Sequence, residues 1–325
     1  HFSFGDYFKK ETIGWTYELL TKIFGIPKER ISATVFQGDD TIPFDQESFE
    51  AWSKFLPLTQ IRKGPRADNV WGPVGTEGPC GACNEVYVDD VEVATLVFME
   101  YYCHADKNLT KLAQKGVDVG WGFERITAKL QKVKTIFETD PFLPIINVIP
   151  EAVPTITKRV LADHIRGIAF LVSDGVLPSN KEVGYVLRKM MRRSIFYVNK
   201  YSVDFRVLFG TFFNTYKIFY PELNEDLVIS EFENEKARFE KALMMGEREI
   251  AKLKVIDTGT AFKIVSSYGV PYELLKEIAG EKACGVSRVD FEAMLERHRE
   301  ISKAGIEKKF GGHGLILDTG ELKAG

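Results

Sequence analysis

Gly116-Val-Asp-Val-Gly-Trp-Gly-Phe-Glu-Arg125 is a glycine-rich junction in which a strand hands over to a helix that continues to about Lys132. Glycines at a helix start let backbone N–H groups approach an anion, and the helix dipole favours negative charge there. Arg125, one turn in, has the planar guanidinium that clamps a phosphate or stacks on a base. Taken alone, the same residues describe an ordinary tight turn. Upstream of the junction, residues 84–88 and 93–102 are β-branched and aromatic and predict strands. Residues 37–82 are punctuated by Gly72-Pro73, Gly78-Pro79 and Gly81 and predict a loop-rich stretch. Residues 6–24 place Ile13, Tyr17, Leu20 and Phe24 on one helical side, and Gly25 and Pro27 end that helix.

Downstream, the character changes near Pro150–Pro154. Val160, Leu161, Ile165, Ile168, Ala169 and Val172 fall at helical spacing over 155–173, and Asp174-Gly175 closes the helix. Further helices are expected from about Gly184 to Val198, over 225–254 with Val228, Phe232, Phe239, Leu243, Ile250 and Leu253 inward, and in shorter pieces from Thr260 to about 300. The chain is therefore α+β up to residue 148 and mostly α beyond it, with no internal repeat. Its 325 residues suit about two domains at roughly 150 residues each.

Hydrophobic residues make up 45% and charged residues 27%, a globular balance, and no segment is long and apolar enough to predict a membrane span. Four cysteines are too few for a disulfide scaffold, which points to a reducing, cytoplasmic setting. Cys80-Gly-Ala-Cys83 has the spacing of half a zinc site, but Cys103-His104 does not supply the other half, so small packed thiols in a turn are expected and no metal. The formal net charge of −3 hides a local excess. Between Lys158 and Arg193, eight basic residues meet three acidic ones, a local +5. Arg188 and Arg192, like Lys189 and Arg193, are four apart on one helical side, and suit either an RNA backbone or a solvated helix face.

Order and context add to this. His1-Phe-Ser-Phe-Gly-Asp-Tyr-Phe8 resembles the end of motif 2 of the alanyl-tRNA synthetases. Gly78-Pro-Cys-Gly-Ala-Cys-Asn-Glu85 is similar to that family's Gly-Pro-Cys-Gly-Pro-Cys-Ser-Glu. Gly116 to Arg125 resembles its motif 3 stretch Val-Asp-Thr-Gly-Met-Gly-Leu-Glu-Arg. Ala162-Asp-His-Ile-Arg166, Ser173-Asp-Gly-Val-Leu-Pro-Ser-Asn180, Gly184-Tyr-Val-Leu-Arg188 and Tyr268-Gly-Val-Pro271 resemble its tRNA-recognition region. Lys309-Phe-Gly-Gly-His-Gly-Leu-Ile-Leu-Asp-Thr-Gly320 resembles the linker to its editing domain.

The resemblance implies a class II synthetase antiparallel-sheet core over 1–148, a helical acceptor-stem recognition domain over 149–305, and a linker over 306–325. It implies ATP with Mg²⁺, alanine and tRNA(Ala) as partners, and no zinc in this segment. Motif 1, the motif 2 arginine and the editing domain would lie outside His1–Gly325, so this segment is expected to be inactive alone. Asp118 would hold the substrate ammonium, Gly120 would border the methyl pocket, and Trp71 and Val97 would wall it. Arg125 would pack on adenine beside Gly122. Asn180 and Glu273 would straddle the G·U pair of the acceptor stem, with Arg188, Arg192 and Arg193 on phosphates. Each has a plainer reading: Trp71 and Val97 as core, Asp118 as a helix cap, Asn180 as a turn residue and Glu273 as a helix start. Ala94-Thr95 stands where the family usually has Trp-Asn, and Thr95 replaces one hydrogen bond of that asparagine. A non-catalytic tRNA-binding paralogue is the alternative reading.

Overall fold

The computed structural model describes residues 1–309, with side-chain surroundings for 1–298. The chain divides into two compact units, His1–Leu143 and Pro144–Gly325. The first holds β1 (Phe2–Phe4), α1 (Lys9–Glu18), β2 (Ile31–Phe36), α2 (Gln46–Ser53), β3 (Ile61–Gly64), α3 (Arg66–Asn69), β4 (Val70–Trp71), β5 (Gly78–Val88), β6 (Val91–Cys103), β7 (Leu109–Trp121) and α4 (Phe123–Leu130). The sheet order is β1-β7-β6-β5-β2-β3, with β4 paired separately to β5. Only β2 and β3 run parallel; every other pairing among the described residues is antiparallel.

Alternation gives this sheet two different faces. Ala94, Leu96 and Phe98 of β6, with Val117 and Val119 of β7, are buried and pack with Ile13, Leu20, Ala51 and Trp52 from the α1 and α2 region. The Leu, Ile, Val and Phe side chains among them contribute about 1.5–3 kcal/mol each when buried, so this face holds the unit together. Trp52 Nε1 donates to Asn84 Oδ1 at 3.0 Å, so the indole reaches the core without an orphaned donor. Lys9, 4% exposed, pairs with Asp45 at 2.8 Å and Glu100 at 2.6 Å. Asp45 also caps α2 by accepting from Ser48 N. One buried cation thus ties α1, the start of α2 and β6.

The strands expected at 84–88 and 93–102 are the central parts of β5 and β6. The helix expected over 6–24 begins at Lys9 and widens into a π-helical turn, Leu19–Ile23, closed by Phe24 N to Leu19 O at 2.9 Å. The loop-rich reading of 37–82 is corrected: α2, β3, α3, β4 and the start of β5 lie there. These elements are short, and their residues find partners on distant strands. Cys80 and Cys83 sit within β5, across a bulge, and not in a turn; both are buried and free, as is Cys103.

Beyond α5 (Leu143–Asn147), the second unit is helical: α6 (Thr155–Ser173), α7 (Glu182–Lys200), α8 (Phe205–Tyr216), α9 (Glu225–Lys252), α10 (Thr258–Tyr268), α11 (Tyr272–Ala279) and α12 (Arg288–Lys309). α6 stops where Asp174-Gly175 predicted, with Val176 N donating back to Leu171 O at 2.9 Å in a Schellman-like closure. Asn224 and Asp257 cap α9 and α10 through their side-chain oxygens. Between Val198 and residue 225, where local pattern predicts no helix, stands α8. Its Phe209, Phe212 and Phe213 are buried, and Phe209 packs edge-on against Phe232 of α9. Aromatics are modest helix formers, so this helix owes its stability to packing. From residue 310 on, the expected linker lies outside the described residues.

Candidate functional site

The face of the sheet opposite the α1–α2 core carries two rows of side chains. Register pairs Cys83 with Val97 and Val97 with Asp118; the next row pairs Glu85 with Thr95 and Thr95 with Gly120. Above the second row lies an open cleft of about 440 Å³, lined by Thr95, Gly120, Gly122 and Arg125 among the expected residues, and also by Glu92 and Trp121. Asp118 and Val97 form the neighbouring row and are not part of the lining.

Gly120 has negative φ, so the backbone there does not require glycine; a Cβ at Gly120 would meet no atom within 4 Å. The missing side chain therefore leaves room in the cleft. Asp118 is half-buried, and its carboxylate makes no hydrogen bond or ion pair among the described residues. It is not the cap of α4, a place held by Gly122, whose N–H donates to Val93 O at 2.8 Å. The Asp118 carboxylate thus keeps its acceptor oxygens uncommitted on the same sheet face as the cleft, one row away from it.

Arg125 leaves the first turn of α4 and folds back over β6. Its Nη1 pairs with Glu92 Oε1 at 3.1 Å and donates to the Glu92 carbonyl at 3.3 Å. About half of that side chain stays exposed, so the guanidinium is held at the cleft but accessible. Trp71 is half-buried on β4 opposite Gly81, away from the cleft lining. Asn69, fully buried, anchors β4: its Nδ2 donates to Thr34 Oγ1 at 2.8 Å and to Cys83 O at 2.9 Å.

Glu85 was not singled out from the sequence. It is 9% exposed, accepts a hydrogen bond from Thr95 Oγ1 at 2.8 Å, and burial pushes its pKa up to about 7. The signal was available: Asn84 and Val86 face the core, so Glu85 between them must face the cleft side. Among the described residues no three His, Cys, Asp or Glu side chains form a metal-holding group.

In the helical unit, Arg188 Nη1 donates to Asn180 Oδ1, joining two of the expected RNA-binding residues. Arg188 lies over the Tyr185 ring at 5.6 Å, and Tyr185 with Lys189 lines a small hollow that also holds Glu273 and Arg288. Glu273 pairs with Arg288 at 2.8 Å. Burial raises its pKa, but its own backbone N–H and the charges of Lys189, Arg288 and Arg193 outweigh this and hold the carboxyl below its ordinary value. Arg193 lies over the Tyr197 ring at 5.9 Å. Arg192 is different. Its Nε meets Glu235 at 2.6 Å, its Nη1 donates to Gly269 O at 2.8 Å, and its guanidinium covers Phe239 at 5.0 Å. The Arg188–Arg192 side expected from the four-residue spacing is thus split, with Arg192 turned into the helical packing.

A mostly antiparallel sheet with one packed and one open face, joined in sequence to a helical unit, accords with the class II aminoacyl-tRNA synthetase core expected from the sequence. The family described as tRNA synthetases class II (A) matches residues 1–318, and the chain belongs to it. It is similar to the alanine–tRNA ligase of Cytophaga hutchinsonii, 32% identical over 99% of this chain and 42% of the relative. It is likewise similar to those of Borrelia hermsii, 35% identical over 96% of this chain and 60% of the relative, and Treponema pallidum, 33% identical over all of this chain and 61% of the relative. The chain spans 42–61% of the length of these relatives.

Proposed function

We propose that this chain is the part of an alanine–tRNA ligase that binds alanine and ATP and docks the tRNA(Ala) acceptor stem, working in the cytoplasm. The observation that carries the reading is the unpaired Asp118 carboxylate, one row from the open space at Gly120. The Asp118 carboxylate holds the alanine ammonium, Val97 and the bare Gly120 backbone border the methyl, and Arg125 exchanges Glu92 for the nucleotide. Trp71, on β4 and outside the cleft lining, is assigned to the wall of this pocket by the family resemblance alone. Mg²⁺ would come with ATP and offset the charge of its phosphates. In the whole enzyme, the alanine carboxylate would then attack the α-phosphorus in line with departure of pyrophosphate, and the alanyl group would pass to the tRNA 3′ end with release of AMP.

Residues 1–148 act here as the activating core and 149–305 as the recognition domain. Asn180, held by Arg188, and Glu273 read the G·U pair across the shallow A-form minor groove, while Arg188 and Arg193 meet phosphates. Arg192 serves as internal support.

Calorimetric titration with alanine tests the core. The protein binds alanine, and Asp118→Asn weakens binding by roughly 2–5 kcal/mol, because the ammonium loses its only carboxylate partner. An unchanged affinity removes Asp118 from the site. Acceptor-stem binding with no alanine binding at all would favour the non-catalytic tRNA-binding reading.

A further inference from the structure

We infer that Glu85 is a positioning residue for the amino-acid ammonium: its carboxylate orients the Thr95 hydroxyl, so that the hydroxyl turns its lone pairs to the cleft. This rests on the alanine site proposed above.

Glu85 lies in the same cross-strand row as Thr95 and Gly120, one row from Asp118. Thr95 lines the cleft, whereas Glu85 sits behind it, 9% exposed. Glu85 Oε2 accepts a hydrogen bond from the Thr95 hydroxyl at 2.8 Å, and among the described residues Oε1 has only the Cys83 thiol, at 4.0 Å. A hydroxyl has one proton to give. While Glu85 is ionised it can only accept, so Thr95 must donate to it and leave its lone pairs free for a substrate N–H. Once Glu85 is protonated, the carboxyl can donate to Thr95 instead. The Thr95 proton then swings toward the cleft, where it opposes an ammonium that carries donors alone.

This exchange falls at neutral pH. Burial pushes Glu85 up to about 7, against the pull of the Thr95 hydrogen bond; Glu92 and Asp68 push further up and Arg125 pulls down. The other titratable groups facing Glu85 are the Cys83 thiol and the Tyr87 hydroxyl, both raised by burial above their ordinary values and therefore proton-bound at pH 6–8. A role confined to holding the strand would be met equally by a neutral amide. A buried carboxylate whose strong contact is a cleft-lining hydroxyl has a reason to be charged.

The test is the alanine dissociation constant from pH 6 to pH 8.5 for the wild type, Glu85→Gln, Thr95→Val, Thr95→Ser and Asp118→Asn, with folding checked by circular dichroism. The sign follows from the raised carboxyl: ionisation on passing pH 7 tightens binding. The wild type and Thr95→Ser are expected to gain about tenfold in affinity through a step centred near pH 7, the worth of one hydrogen bond to a charged group. Glu85→Gln and Thr95→Val bind with a flat profile. A step that persists in Glu85→Gln, or a flat wild-type profile while Asp118→Asn still loses alanine, overturns the role of Glu85 and leaves the alanine site standing. Absence of alanine binding in the wild type at every pH removes the site itself, and this inference with it.

Discussion

Gly120 and Asp118 are distinguished by what does not surround them. The Asp118 carboxylate has no partner among the described residues, and nothing lies within 4 Å of where a Gly120 side chain would begin. Gly120→Ala places a methyl in that space without touching the sheet's packing. Stability in urea is expected to change by less than about 0.5 kcal/mol, or to rise slightly as the unfolded chain loses freedom. Alanine affinity should fall by roughly 1–3 kcal/mol, while glycine, which brings no methyl, loses much less. Comparing the two amino acids by titration checks this. Equal losses for both would mean that the space above Gly120 receives something other than the substrate side chain.

Among the elements, α7 shows how one helix divides its cations between two tasks. Arg188 reaches out to Asn180, whereas Arg192, one turn on, is drawn inward to Glu235 of α9 and to the carbonyl that ends α10. Gly269, the left-handed cap of α10 at φ +61°, leaves no room for a Cβ against the Arg192 guanidinium. The Arg192 and Glu235 side chains are 12% and 3% exposed. Removing one member of so buried a pair strands the other charge, and Arg192→Ala is expected to cost about 3–5 kcal/mol of stability in urea unfolding. Replacing both at once, Arg192→Met with Glu235→Leu, should cost far less. Acceptor-stem affinity per folded molecule should stay unchanged in that double variant. A loss of RNA binding without loss of stability would return Arg192 to the phosphate contacts.

For the whole molecule, a net charge of −3 coexists with a local +5 over residues 158–193, so the overall charge does not exclude attraction to RNA. Phosphate contacts release counterions, and the slope of log affinity against log salt counts them. Binding of an acceptor-stem minihelix should weaken steeply with salt, and Arg188→Ala should flatten the slope by about one. Asn180→Ala should leave the slope alone and reduce discrimination between a G·U and a G·C pair. If Arg188→Ala erases that discrimination at unchanged slope, its task is to hold Asn180 and not to meet phosphate.

Much of this was legible from local pattern. Apolar residues at helical spacing and a closing Asp174-Gly175 are enough to place α6, and α9 follows in the same way, because amphipathic helices are written in neighbouring residues. Collinear motifs from His1 onward identified the class of fold and drew attention to Asp118, Gly120 and Arg125. The short elements between residues 37 and 82 and the aromatic helix α8 were not legible, since their stability comes from partners far along the chain. The same holds for side-chain assignment. Spacing puts Arg188 and Arg192 on one side of a helix, but only the buried Glu235, 43 residues on, draws one of them inward. Glu85 was in plain view in the sequence; its meaning waited on the strand register that sets Thr95 beside it and on the burial that brings its proton to neutral pH. Periodicity determines which way a residue faces, and tertiary packing decides what it meets there.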